Sequence, residues 1–449
     1  MKIATAATRS LRIISLPPRV PRAAPHARRQ TVLPRSLAAE PERCPVDNSP
    51  PSGHPLQPPA ARRSAARRGV GPRKCDAARA GVAALTTCGP RRYTGLDLAR
   101  GRSDPVTPLD YEPTVADFIR TRVERHGDRT LIVHGERRLT YADADARSRE
   151  LARGLMASGV GKGTRVGVLM PNGPDWVTTW LAASRIGALV VPINTFYKPR
   201  ELGWVLRHAD VATLLGVDRF LSNDYVSRLE DHAPILRTPR GPFLAIEPLP
   251  FLRHVWLQGG APPAWADGSI DDLAAAGATI NPGLVAEAER SVAPADPMIL
   301  IYSSGSTADP KGAVHTHGAT LRHAYQLNGF RDIRTDDRVY SPMPFFWVGG
   351  FVFVLLSAMH VGACLLTEEA FEPGETLAYL EREQATVVAG WPHYGKAMAA
   401  HPDFADRDLS SIRSGNIYDI VPVAMRPRDP ELRPTALGMT ETCGPHTIE

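Results

Sequence analysis

Cysteine is scarce and scattered in this chain: five residues among 449, at Cys44, Cys75, Cys88, Cys364 and Cys443. Their number is odd, no pair has zinc-ligand spacing, and no disulfide framework is implied, so a reducing compartment is the default. Long hydrophobic runs are almost missing too. The one stretch of membrane-spanning length, 348–366, is broken by Gly349, Gly350, His360 and Gly362, and no positive flank follows it. It reads as a buried helix plus strand, and no integral membrane segment is expected. Aromatic residues are absent from the first hundred positions except for Tyr93. That segment holds 14 of the 42 prolines and 19 Lys+Arg against 5 Asp+Glu, which leaves 34 basic and 42 acidic residues for the remainder. The basic balance therefore belongs to the leader, and it gives no reason to assign a nucleic-acid partner to the body. Arginines without interleaved aromatics also lack the stacking surface that single strands need.

Residues 1–105 are expected to be a disordered Arg/Ala/Pro-rich leader, because so little apolar surface cannot offset the entropy of ordering. Its first forty residues contain eight basic side chains and no acid before Glu40, a composition like that of a mitochondrial transit peptide. The bias runs on to Arg100, beyond the usual end of such a peptide. That favours an extension without a targeting role and a cytoplasmic location, with mitochondrial import as the alternative.

From residue 106 to 449 the pattern is α/β and doubly wound. Thr114 suits a helix N-cap with Asp117 three residues on. Thr130 to His134 and Arg138 to Tyr141 read as a hairpin, followed by a helix over Ala142 to Ala157. Arg165 to Met170, Asp175 to Ile186 and Ala188 to Ile193 form a strand–helix–strand unit, which implies a right-handed crossover in a parallel sheet. A helix over Glu201 to His208 and a strand over Val211 to Leu215 continue it. Residues 219–290 are Pro/Gly-rich and weakly periodic. Alternation resumes with a buried strand at Met298, a helix over Thr316 to Asn328, a strand at Arg338 to Tyr340, a helix over Thr376 to Glu383 and a strand over Thr386 to Ala389. No internal repeat is present.

The strand at Met298–Tyr302 opens into Ser303-Ser-Gly-Ser-Thr-Ala-Asp-Pro-Lys-Gly312. Small side chains let backbone amides approach phosphate oxygens, hydroxyls add donors, and Lys311 adds charge. A P-loop would need its lysine after a glycine and before a hydroxyl residue; here Lys311 precedes Gly312, so that reading fails. Gly390-Trp-Pro-His-Tyr-Gly-Lys-Ala397 mimics the P-loop spacing. It lacks the metal-binding hydroxyl and is too bulky to wrap a phosphate.

With its lysine-before-glycine order, the Ser303–Gly312 loop resembles the phosphate loop of the adenylate-forming superfamily of acyl-CoA synthetases, adenylation domains and luciferases. Three further stretches resemble that superfamily in the same order: Leu139-Thr-Tyr141, Arg185-Ile-Gly-Ala-Leu-Val-Val-Pro-Ile-Asn194 and Leu437-Gly-Met-Thr-Glu-Thr442. Ala308 stands where glycine is usual. The resemblance implies ATP-dependent activation of a carboxylic acid to acyl-AMP, then transfer to a thiol, usually coenzyme A, with Mg2+ as cofactor. It assigns nucleotide binding to Ser303, Ser304, Gly305, Ser306, Thr307, Lys311, Gly312, Gly438 and Thr440, catalysis to Lys311, Thr440 and Glu441, and the metal to Glu441. Pro344-Phe-Phe-Trp-Val-Gly-Gly350 resembles the acyl-pocket motif, without the histidine often found near Trp347. It assigns Phe346, Trp347, Val348, Gly349 and Gly350, with Gly415, to the pocket of an apolar acid. Adenine is expected near Ser414-Gly415-Asn416 and Ile417-Tyr418. His315 and His317 flank the strand after the loop and read more readily as structural histidines than as ligands.

Superfamily members continue beyond the Gly-Met-Thr-Glu stretch to an acidic ribose anchor and a small mobile C-terminal domain bearing a catalytic lysine. The expectation is therefore an AMP-binding large domain over 106–449, incomplete at its C-terminus and without the small lid domain. The alternative is a truncated, catalytically impaired fragment that at most binds nucleotide or a partner.

Overall fold

The computed structural model describes residues 109–238, 244, 246–303, 309–429 and 436–448. The leader expected over 1–105 lies outside the described residues, as do Ser304, Gly305, Ser306 and Thr307 of the phosphate loop.

Helix α1 (Val115–His126) starts where Thr114 accepts the amide of Asp117, and it buries Val115, Phe118 and Ile119. Strands β1 (Thr130–His134) and β2 (Arg137–Thr140) form the expected hairpin. Helix α2 (Tyr141–Ala157) opens on a Thr140–Asp143 capping box. Next come β3 (Arg165–Leu169), α3 (Pro174–Arg185), β4 (Leu189–Pro192), α4 (Pro199–His208) and β5 (Thr213–Val217), the last starting two residues later than the sequence pattern suggests. The weakly periodic stretch holds β6 (Arg219–Phe220), β7 (Asn223–Asp224), α5 (Tyr225–His232), β8 (His254–Gln258), α6 (Ile270–Ala276) and α7 (Pro282–Ser291). Strand β8 escapes periodicity because Val255, Trp256 and Leu257 are all buried, so it shows no alternation.

Strands β9 (Pro297–Ser303) and β10 (Lys311–Thr316) lead into α8 (His317–Arg331), which runs three residues past the expected end at Asn328. After β11 (Arg338–Tyr340), the apolar run becomes a π-helix, Gly349–Leu356, then α9 (Ser357–Val361) and β12 (Cys364–Thr367). That is the helix-plus-strand reading of 348–366, and no helix among the described residues is long and apolar enough to cross a membrane. The chain continues through α10 (Pro373–Arg382), β13 (Val387–Val388), α11 (Pro392–Ala399), β14 (Ser414–Gly415), β15 (Ala436–Met439) and β16 (Gly444–Ile448).

Among the described residues, beside the β6–β7 and β15–β16 pairs, two six-stranded sheets form, ordered β14-β13-β11-β12-β1-β2 and β10-β9-β4-β3-β5-β8. Each is parallel except for one antiparallel edge strand, β2 in the first and β10 in the second. The first sheet is assembled from distant segments: β1 pairs with β12 through Ile132 and Leu365. Between the elements lies an aromatic core. Phe345 meets Trp176 edge-on at 5.2 Å, and Phe351 meets Trp180 edge-on at 5.0 Å. Arg185, fully buried, joins three helices by pairing with Asp145 of α2 and, at 2.8 Å, with Glu289 of α7. Its hydrogen bond to Ser148 at 2.7 Å satisfies a further donor.

Candidate active site

The site begins at the end of β9. Met298 to Tyr302 are buried, and Ser303 stands opposite Lys311 in the β9–β10 pairing. The Ser303 hydroxyl donates to the Lys311 carbonyl at 3.4 Å. Strand pairing thus fixes both flanks of the expected phosphate loop, while Arg200 of α4 holds Asp309 at 3.0 Å. Lys311 and Gly312 are exposed, and Lys311 has no salt bridge among the described residues.

Thr440 and Glu441 sit on a single 3-10 turn that links β15 and β16. Two side chains of α8 dock this hairpin: Cys443 Sγ lies 3.7 Å from Thr320 Oγ1, and His323 lies against the backbone at Gly444 and Pro445. His315 of β10 is buried beside the Thr440 backbone. Burial pushes its imidazole pKa below the ordinary value, and the Thr440 backbone and the Glu441 carboxylate act the other way. Glu441 is exposed and forms no salt bridge among the described residues. His317 is structural: its Nδ1 accepts the Val115 amide at 3.2 Å, and burial pushes its pKa down to about 4.

A cavity of about 900 Å³ joins these parts, within the range of small-molecule sites. Ser303, Gly438 and Thr440 line it, as do Trp347, Val348 and Gly349. Lys311, Gly312 and Glu441 are not among its lining residues; Lys311 pairs with Ser303 across the strands and Glu441 follows Thr440, whereas Gly312 pairs with Tyr302, which does not line the cavity. Two of the pocket residues expected from sequence do not line it. Phe346 is buried with its ring against Phe196 and Trp347, and Gly350 packs on the chain, where a Cβ would fall 2.1 Å from the Pro344 carbonyl. Gly350 is thus required by backbone approach and not by the slot.

Gly415 does line the cavity. It has φ +141°, and a Cβ there would lie 2.0 Å from the Val388 carbonyl, so only glycine fits between β14 and β13. Of the expected adenine region, Ser414, Asn416 and Tyr418 line the cavity, whereas Ile417 is fully buried in the core behind it. Asn416 also explains the P-loop mimic, because its carboxamide holds both backbone groups of Gly390. Trp391 and Pro392, too bulky for a phosphate loop, serve as cavity wall. Sequence reading missed Phe330, Arg331, Phe353 and Trp391 as lining residues. For Trp391 the signal was the same bulk that ruled out phosphate binding.

Ser303 and Thr440, the Ser414–Asn416 stretch and the Trp347–Gly349 wall thus share one cavity. The AMP-binding enzyme family matches residues 119–449, and the chain belongs to that family. It is 30% identical over 308 residues to YngI of Bacillus subtilis, named as an acyl-CoA synthetase, covering 67% of this chain and 55% of that one. It is 28% identical over 371 residues to the mitochondrial medium-chain acyl-CoA ligase ACSF2 of Mus musculus, covering 80% and 58% respectively. The chain thus spans about half the length of the curated relatives it matches. Its fold resembles that of the anthranilate CoA ligase AuaEII, solved with anthranoyl-AMP, with a TM-score of 0.55, 24% identity, and 69% of this chain and 54% of that one covered. The α/β architecture with parallel sheets is that of the large domain of adenylate-forming enzymes.

Proposed function

We propose that the chain activates a carboxylic acid with ATP and passes the acyl group to the thiol of coenzyme A. The single observation that carries this reading is the shared cavity, where Ser303 and Thr440 at the polar rim face the same space as the Trp347–Gly349 wall. In the first step a carboxylate oxygen attacks the α-phosphorus of ATP; the bond to pyrophosphate breaks, and acyl-AMP remains. In the second the thiol gives up its proton, its sulfur attacks the acyl carbon, and the bond to AMP breaks. The first step brings two anions together, so positioning and charge neutralisation lower its barrier.

In this reading Ser303 and Lys311, with Ser304, Gly305, Ser306, Thr307 and Gly312, grip the β- and γ-phosphates, and Thr440 donates its hydroxyl to a phosphate oxygen. The Glu441 carboxylate, exposed and without a salt bridge among the described residues, suits Mg2+, which supplies charge neutralisation when bound. One carboxylate with nucleotide oxygens is the usual ligand set of that ion. Gly415 and its neighbours form the floor for adenine, and Trp347, Val348 and Gly349 take the acyl chain. The composition of the leader and the name of the mouse relative support mitochondrial import as the alternative to a cytoplasmic location.

The test is acid-dependent pyrophosphate release with a panel of aliphatic and aromatic acids, with acyl-AMP identified by mass spectrometry. Release that needs both acid and ATP is expected. ATP binding without release for any acid would reduce the reading to nucleotide binding alone.

A further inference from the structure

Arg331, the last residue of α8, lines the cavity and is the one cationic side chain among its described lining residues. It lies flat on Phe353, with the guanidinium carbon 3.6 Å from the ring centroid, and one of its nitrogens donates to the Phe353 carbonyl. Among the described residues no carboxylate pairs with it. A guanidinium offers five donors in a fixed fork that matches a carboxylate, and the stack on Phe353 holds that fork in place. Desolvation pushes its pKa down to about 9, which still leaves it charged at neutral pH. A half-buried cation with one carbonyl acceptor is costly unless an anion joins it.

The position separates this charge from the phosphate grip. Ser303 and Lys311 belong to the β9–β10 hairpin, whereas Arg331 lies at the seam of α8 and the π-helix. Phe353 follows Gly349 along the same helix that forms the apolar wall. The cation therefore belongs to the acyl side of the cavity, among Phe330, Val348 and Phe353.

We propose that the cavity selects a carboxylic acid carrying a second anionic group, a dicarboxylate in the simplest case, whose second group pairs with Arg331. This rests on the acid-activating reading above. It names the substrate class of that site: an acid with an apolar middle and a charge at each end.

Octanedioate and octanoate make a matched pair of probes, and binding is read from calorimetry and from the change in intrinsic tryptophan fluorescence, to which the cavity residues Trp347 and Trp391 contribute. The wild-type chain should bind octanedioate about tenfold or more tighter than octanoate, the scale of a charge-assisted hydrogen-bonded pair. Arg331→Gln should abolish that preference while octanoate binding stays within about twofold; Arg331→Lys should retain part of it. Phe353→Leu, which removes the stack and leaves the charge, should weaken the preference without abolishing it. Equal affinity for the two acids, binding of neither, or an equal loss of both in Arg331→Gln overturns the proposal. So does a loss of ATP affinity in Arg331→Gln, which would assign the guanidinium to the nucleotide. Pyrophosphate release from the same samples reports on activation separately. A dicarboxylate preference without release keeps the Arg331 pairing and removes the ligase reading; release with equal affinities does the reverse.

Discussion

Asn416 grips the backbone of Gly390 with both of its polar groups: the Gly390 amide donates to Oδ1 at 3.0 Å, and Nδ2 donates to the Gly390 carbonyl at 2.9 Å. These two hydrogen bonds between side chain and backbone brace the turn between β13 and α11, which carries Trp391 and Pro392 into the cavity wall. Asn416→Ala leaves two part-buried backbone groups without their partner, at a cost of about 1–3 kcal/mol. Asn416→Asp keeps the acceptor and places a carboxylate oxygen against the carbonyl, so it should be no better. Denaturant titration gives the stability change, and ATP titration should show weaker binding in both variants. Unchanged values in both would sink the bracing role.

Lys311 is exposed, has no salt bridge among the described residues, and faces Ser303 across the strand pair. Its charge is therefore available to a ligand. Lys311→Ala should weaken ATP binding about tenfold to a hundredfold, the scale of losing a hydrogen bond to a charged group, and should leave thermal stability within about 0.5 kcal/mol. Calorimetric titration of ATP, paired with a melting curve, separates the two effects. A large fall in stability with intact ATP affinity would make the lysine structural.

Arg185 is fully buried between Asp145 and Glu289. Arg185→Leu would remove the fully buried cation of this cluster and leave Asp145 and Glu289 to the partly exposed Arg149 alone, 3.0 and 3.5 Å away, at a cost of about 1–3 kcal/mol. The triple replacement by apolar residues should recover much of that loss, because the desolvation of all three charges goes with them. Urea midpoints of the single and triple variants test this. A single variant as stable as the parent would show that the pair contributes nothing.

Glu368 and two histidines give stability opposite pH slopes. Burial raises the Glu368 pKa to about 7, with the negative charges of Glu375 and Glu372 adding to it and hydrogen bonds with Tyr340 and Thr376 opposing it. Its folded pKa lies above the unfolded value near 4.5, so the stability it contributes is complete below that value and is lost as pH rises to 7. Burial pushes His360 down to about 3 and His317 to about 4. The stability these two contribute is present above 6.5 and is lost as pH falls through the folded values. Glu368→Gln should raise stability at pH 8 relative to pH 4 by an amount on the order of 3 kcal/mol. His317→Gln should instead flatten the acid limb below pH 6.5. Melting temperatures across pH 4–8 would expose either slope, and a Glu368→Gln profile parallel to that of the parent would disprove the first assignment.

Local chemistry made much of the fold legible before any coordinates. Thr114 caps its helix by a side-chain bond to Asp117 three positions on, a relation written into adjacent sequence, whereas the Thr140 cap does not show in the sequence, where that residue reads as part of the hairpin strand. The β3–α3–β4 unit followed from its apolar runs and turn residues, and the helix-plus-strand reading of 348–366 from its glycines. Strand β8 was not legible, because a strand buried on both faces has no period of two. Nor was the partnership of β1 with β12, since Ile132 and Leu365 share no local signal. In the site, Thr440 and Glu441 were readable as a stretch of motif, and their docking on Thr320 and His323 was not. Gly350 shows the opposite failure. It reads as part of a slot, and only the Pro344 carbonyl explains it.

The order of Lys311 before Gly312 separates the 303–312 loop from a P-loop, and its resemblance, with that of Thr440-Glu441 downstream, to the adenylate-forming superfamily raises the expectation of an adenylating site. That information is local: which donors, hydroxyls and charges stand next to one another along the chain. Which side chains face one cavity depends on how distant segments pack, and no periodicity encodes it. Tertiary structure therefore decided that Phe346 is core, that Trp391 is wall, and that Arg331, an ordinary helix-end cation in the sequence, stands over Phe353 within reach of a ligand.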